Sequence, residues 1–294
     1  MSEFSATDAA FEGFRVARER PWAIAAWAGV ALAMGVAQDV LRGALVDPKI
    51  FEELMRLAQA GQPDPARLTQ LYGQLIPFMA AIIPISLLYY GIMFAAAFRV
   101  VLEPKSSVNG LRLGIQELRQ VLLLIIIGLL MFFVYLGVLF IGAALTGVVA
   151  MMSRPLAAVA AVVSLLASIG VLIFVPIRLS LAGPHTFADH RLRPFASWSM
   201  TRGRFWPMAG AYLLATIFAL IVTILCMLIL AGVFAATGQT LTAMLQPTTT
   251  IAAFFTPMHI IYRVGSAVLN ALTWAILVCP AAVIFRQLNR EAVF

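Results

Sequence analysis

Six apolar stretches, each long enough to cross a bilayer, constrain this 294-residue chain more than anything else in it. They run roughly Trp22–Leu41, Leu75–Phe98, Gln120–Val149, Leu156–Ile177, Phe205–Ala236 and Met258–Phe285. Hydrocarbon offers the backbone no water to bond, so an apolar run of about 20 residues must be a helix that satisfies its own peptide groups. The alternating strands of a membrane barrel are absent. Charged residues are only 11% of the chain, against roughly a quarter in soluble proteins, too few to clothe a water-facing surface. The reading is an all-α integral membrane protein with six transmembrane helices, a single membrane domain over residues 1–294. Several stretches exceed what a bilayer needs and must tilt, kink or protrude.

The charges orient it. Of the 20 Lys and Arg residues, 14 fall on one side of these spans: Arg15, Arg18, Arg20, Arg99, Lys105, Arg112, Arg119, Arg178, Arg191, Arg193, Arg202, Arg204, Arg286 and Arg290. Arg42, Lys49, Arg56, Arg67, Arg154 and Arg263 fall on the other. The positive-inside rule then puts both termini in the cytoplasm, with the protein in a bacterial cytoplasmic (inner) membrane. Arg outnumbers Lys by 18 to 2, which fits a GC-rich genome better than a chemical need. The net charge of +7 suits loops facing anionic phospholipid, and no nucleic-acid module is present. The segment before the first span is long and partly acidic (Glu3, Asp8, Glu12, Glu19), unlike the short basic lead of a cleaved signal peptide.

An internal repeat marks the basic side. Phe11, Phe14, Arg18, Arg20 and Trp22 follow the pattern F-x2-aromatic-x3-R-x-R-x-W, and Phe195, Trp198, Arg202, Arg204 and Trp206 follow it again. Each copy precedes a span and has a proline beside its Trp (Pro21, Pro207). A fainter copy runs from Val108 through Leu111 to Arg119, and the even-numbered spans each carry a proline (Pro84, Pro176, Pro280) and end near an Arg (Arg99, Arg178, Arg286). The expectation is three units, roughly 9–104, 105–190 and 191–294, each an amphipathic helix followed by a helical hairpin. In such an elbow the aromatic face lies at the headgroup boundary and the Arg face meets lipid phosphate. The plain alternative is an anchoring elbow without recognition, since any basic segment before a span obeys the positive-inside rule.

Small residues at every fourth position predict close helix packing: Ala25, Gly29, Ala33 and Ala37 in the first span, Gly91 with Ala95 in the second, and Ala160, Ser164 and Ser168 in the fourth. Between the first two spans, Asp47-Pro48 and Asp64-Pro65 each read as an N-cap with an N1 proline. Ile50, Leu54 and Leu57 then give a short surface helix one apolar stripe. The last loop, about Thr237–Pro257, carries no charge, and Leu241, Met244 and Leu245 predict a segment at the membrane interface.

Chemistry has little to work with. Ionisable residues inside a membrane mark functional sites by default, and the bodies of the third, fourth and fifth spans have none. Asp39 and Arg263 can form an interhelical pair closing the outer side of the bundle. The simpler expectation pairs Asp39 with Arg42, three residues on, and sends Arg263 to lipid phosphate. His185 and Asp189 share a helical face but have no third ligand, so no metal site is expected. Cys226 and Cys279, inside apolar spans and without CxxC spacing, read as packing residues. No phosphate loop, nucleophile elbow or dinucleotide fingerprint is present, so neither an enzyme nor a cofactor is expected.

The stretch Ser197-Trp198-Ser199-Met200-Thr201-Arg202-Gly203-Arg204-Phe205-Trp206 resembles the short S-x-x-x-T/K-x-G-x-F/R-W helix before paired spans in the membrane domain of some glycerophosphoryl diester phosphodiesterases and in YciC-like proteins. In the diesterases, catalysis belongs to a separate soluble barrel with its own metal carboxylates. The resemblance therefore implies a membrane module without that activity, and no catalytic residue carries over. The functional expectation is a non-enzymatic envelope protein that binds lipid, a protein partner or a second copy of itself. Its candidate site residues are Arg18, Arg20, Trp22, Arg202, Arg204 and Trp206. The alternative is a transporter or channel for a small uncharged or apolar solute, which needs a wettable route between the proline-bearing spans.

Overall fold

The computed structural model describes residues 5–59, 64–104, 109–238 and 256–291, with ten helices and no strand among them. In chain order these are α1 (Ala6–Glu19), α2 (Pro21–Leu45), α3 (Pro48–Gln59), α4 (Pro65–Leu102), α5 (Ile115–Met152), α6 (Arg154–Leu179), α7 (Ala182–Asp189), α8 (Ala196–Met200), α9 (Phe205–Ala236) and α10 (Pro257–Glu291). Six of them, α2, α4, α5, α6, α9 and α10, are long and apolar enough to cross a membrane, and they contain the six stretches read from the sequence. With 38 residues each, α4 and α5 rise about 57 Å and outrun the ~30 Å hydrocarbon layer. The spans alternate in direction. One end of the bundle therefore gathers α1, α7, α8 and the last turns of α4, α6 and α10, and is called here the basic end.

Local chemistry sets the breaks. Ser5 caps α1 by accepting the Asp8 N–H at 3.2 Å. Pro21 opens α2 at the first helical position, where its missing N–H costs nothing. Asp64 caps α4 ahead of Pro65, accepting the Ala66 N–H at 3.0 Å, and Asp47 takes the Lys49 N–H at 2.9 Å before α3. Ile50 of α3 is buried with Val46 and Leu71, and Leu54 and Leu57 pack beside them, so the short surface helix is held by its apolar stripe.

The core forms around α10, which α1, α2, α4 and α9 all contact. Its buried positions include a line of small residues, Ala267, Ala271, Ala275, Cys279 and Ala282. Gly13 of α1 fits this surface so closely that an added Cβ would lie 2.4 Å from the Ile276 Cα. Gly91 of α4 does the same for α5, where a Cβ would meet a Val121 methyl at 2.4 Å. The partly buried Ala160, Ser164 and Ser168 line lies on α6, and a Cβ on Gly142 of α5 would be 3.5 Å from Ser164. The first-span stripe behaves otherwise. Ala25, Gly29 and Ala33 face outward, and the packed face of α2 is Ala23, Ile24, Trp27 and Ala28. Trp27 decides the orientation: its fully buried ring fills the core, and its Nε1–H donates to the Asn109 carbonyl at 2.9 Å. Small residues permit close approach, but here a tryptophan with a hydrogen bond to make selects the face.

The three expected elbows do not share one structure. The first is the 14-residue α1. The last is the five-residue α8 and a turn through Gly203 at φ +76°. In the middle, 109–114 is irregular and Ile115–Arg119 runs unbroken into α5, because no proline stands there to separate an elbow from its span. Lys105, Val108 and the uncharged segment with Leu241, Met244 and Leu245 lie outside the described residues.

Candidate functional site

The six basic and aromatic candidates fall into two groups at the basic end. At the α1–α2 junction, Arg18 and Trp22 point outward, with Trp22 74% exposed, while Arg20 donates to the Pro104 carbonyl at 2.8 Å. At the α8–α9 junction Arg202 is exposed, Arg204 is half-buried and Trp206 is 81% exposed. Their supports differ. The first elbow is docked into the protein: Ala9, Ala10, Gly13 and Val16 are buried, and Phe11 and Phe14 stand 4.8 and 5.6 Å from Phe218 of α9. The second elbow is tied to the end of α6, where the Ser197 Oγ donates to the Arg178 carbonyl at 2.7 Å.

Inside this end, the arginines that close the even-numbered spans turn into the protein. Arg99 is buried against Glu117 at 2.6 Å, also donates to the Gly110 carbonyl, and lies 5.4 Å from the Phe187 ring. Arg178 is buried over Trp198 at 4.8 Å. Arg286 donates to the Val101 carbonyl at 3.2 Å, and so ties α10 to α4. Glu12 of α1 sits beside them, bonded to Arg15 at 2.8 Å. Burial pushes its carboxyl above the usual carboxylate range, against the pull of Arg15 and Arg286. Sequence places Arg99 and Arg178 at span ends on the basic side but gives Glu117 no role. An acid at the threshold of the long third apolar stretch, among basic neighbours, was the available signal.

Above this layer lies an apolar cavity of about 330 Å³, toward the small end of the range for ligand pockets. It separates the α5–α6 hairpin, through Leu124, Ile127 and Met131, from α4 (Phe94, Phe98) and α10 (Leu277, Ala281). Its polar groups gather toward the basic end: Gln120, Ser180 and Tyr212. Gln120 donates to the Gly183 carbonyl at 3.1 Å, and the Tyr212 hydroxyl is buried beside the Ser180 side chain. Tyr212 is six residues beyond Trp206 on α9, about 9 Å of helix rise, so the polar end of the cavity lies just inside the second elbow.

At the opposite end of the bundle, Asp39 has both of the partners weighed from the sequence. Its Oδ1 accepts from the Arg42 Nη2 at 2.7 Å, and its Oδ2 pairs with the Arg263 Nη2. The local and interhelical pairings were not true alternatives, since one carboxylate has an oxygen for each. On α7, the His185 Nδ1 lies 3.7 Å from Asp189, which Arg193 also approaches at 3.7 Å. Among the described residues no three metal-ligating side chains converge. Comparison with protein-family models, curated proteins and solved structures finds no match.

Proposed function

We propose that this membrane protein is a non-enzymatic lipid-binding protein of a bacterial inner membrane, with both termini cytoplasmic, and that it seats a chain of an anionic phospholipid in the α4–α5–α6–α10 cavity. The observation that carries the reading is the layout of that cavity. Its body is apolar, and its polar groups cluster toward the basic end, the end that also carries Arg202, Arg204 and Trp206. A phospholipid has the same layout, and each interfacial Arg contributes about 1 kcal/mol toward an anionic surface. Each methylene moved from water into such a cavity is worth about 0.8 kcal/mol, but a chain arriving from bilayer gains nothing from that transfer. Selectivity must therefore come from headgroup and shape, which makes the arginines the discriminating part. The resemblance of Ser197–Trp206 to the short helix before paired spans in the diesterase membrane domain supports a membrane module of this kind.

The alternative, passage of a small solute, requires a continuous route. Here the rings of Trp274 and Phe94, 4.7 Å apart, pack α10 against α4. Native mass spectrometry of the protein released from mild detergent separates the readings. Lipid binding predicts a retained anionic phospholipid that is lost in Arg202→Ala/Arg204→Ala and in the cavity-filling Ile127→Trp, with the fold intact. Unselective lipid, unchanged in both variants, would leave the elbows as anchors only.

A further inference from the structure

A second cavity, of about 200 Å³, lies on the α2 side of α4 and α10 and is lined by Gln38, Tyr89, Arg263, Ser266 and Asn270. Tyr89 precedes Arg99 by ten residues, about 15 Å of rise, and Asn270 precedes Arg286 by sixteen, about 24 Å. The cavity is therefore well inside the bundle, away from the basic end, at a depth where polar side chains are costly and mark sites by default.

Its chemistry is one-sided. Asp39 is shared by Arg42 and Arg263, so two guanidinium groups face one carboxylate and a net positive charge remains. The Tyr89 hydroxyl donates to the Asn270 Oδ1 at 2.9 Å, which commits the amide's acceptor and leaves its N–H donors. The Arg263 Nε and the Ser266 Oγ are buried without any hydrogen-bond partner. A guanidinium donor left unmet in a low-dielectric site carries its full desolvation cost. Gly35 keeps the space beside that group open, since an added Cβ would stand 3.9 Å from the Arg263 Nη1. A net positive cavity with an unmet Arg263 N–H, an unmet Ser266 hydroxyl and the Asn270 N–H donors fits an anion.

We propose that the α2–α4–α10 cavity binds an oxyanion, a phosphate or carboxylate group, held by Arg263 with Asn270 and Ser266 and oriented by the Arg263–Asp39 pair. Phosphate on a lipid headgroup and phosphate in solution share this chemistry. The site is separate from the apolar cavity and does not depend on the lipid reading above.

The test is thermal unfolding of the full chain in nanodiscs. Inorganic phosphate is added against matched chloride in purely phosphatidylcholine discs. In parallel, phosphatidylglycerol replaces a fraction of the phosphatidylcholine without added phosphate. The site predicts a rise in Tm of several degrees in at least one arm. A rise with phosphate alone identifies a soluble oxyanion, and a rise only with phosphatidylglycerol identifies a headgroup. Gly35→Val, which fills the space and keeps every charge, and Arg263→Gln both abolish the rise with phosphate, and in the phosphatidylglycerol arm they remove a part of the rise that Ile127→Trp in the other cavity leaves. If Arg263→Gln does not fold, Gly35→Val decides. No rise in either arm, or a rise of which Gly35→Val removes no part, overturns the proposal.

Discussion

α6 and α10 are both apolar helices of membrane length, and α6 is the more apolar, yet 67% of the apolar stretch of α10 is buried in protein and none of α6's is. In water the greasier helix would be the inner one. In a bilayer, lipid tails are as apolar as leucine, and hydrophobicity no longer sorts inside from outside. Ties to neighbouring spans do the sorting. Trp274 of α10 donates to the Met93 carbonyl at 3.2 Å, Asn270 accepts from Tyr89, Arg263 pairs with Asp39, and Arg286 reaches Val101. The apolar body of α6 has no such tie: Ser168 bonds the carbonyl of Ser164 in its own helix, and α6 meets the rest of the fold mainly through α5 and its last turns. The bundle is thus a tied half, α1–α2–α4–α10 with α9 alongside, and an α5–α6 hairpin leaning on α4. The apolar cavity lies at the seam between the two halves.

That contrast can be broken by mutation. The largest effect is expected at Arg99–Glu117, the buried pair that fastens the foot of α5 to α4. Glu117→Gln leaves a buried guanidinium uncompensated and should cost about 3–5 kcal/mol in reversible unfolding in detergent. A cost below 1 kcal/mol would mean the hairpin is not fastened there. Next is Gly13→Val. Its side chain has backbone, not a flexible side chain, in its way, so α1 must lift from α10 at a cost of about 1–3 kcal/mol. Amide exchange over Ala9–Val16 should rise in that variant, and unchanged protection would refute the docked elbow.

Glu12→Gln sharpens the same contact through pH. The native carboxyl is raised above its ordinary 4.5, so the folded protein holds this proton at a pH where the unfolded chain has released it. The associated stability is complete below about pH 4.5 and is lost as pH rises through the native value. Glu12→Gln should flatten that slope and leave stability at pH 7 equal or slightly higher. A clear loss at pH 7 would show that attraction to Arg15 and Arg286 outweighs burial. The smallest effect belongs to the outer face of α6. Val162→Ala and Leu166→Ala, both exposed, should change stability by less than about 0.5 kcal/mol.

The six spans were legible in the sequence because length and the absence of charge report directly on lipid. Asp64-Pro65 and Asp47-Pro48 were legible because a cap is a local device. Which face of α2 turns inward was not. Ala25, Gly29 and Ala33 looked like a packing stripe, but the choice depends on Trp27 finding a carbonyl 82 residues away. For the same reason the burial of Arg99 against Glu117 was not legible, since the partner stands 18 residues away on another helix. The two cavities were illegible because each is built from side chains of three or more helices. Only Asp39 and Arg263, as charges within apolar stretches, pointed toward one of them.

The most direct test of the lipid reading is photo-crosslinking with a phosphatidylglycerol that carries a diazirine in one acyl chain. The labelled lipid would be reconstituted at trace level with the wild-type protein, and adducts mapped by peptide mass spectrometry. The account predicts adducts concentrated on Leu123–Met131 of α5 and Leu277–Ala281 of α10, the two walls of the apolar cavity, and reduced in Ile127→Trp. Adducts spread evenly over the exposed faces of α5, α6 and α9, and unchanged in that variant, would contradict it.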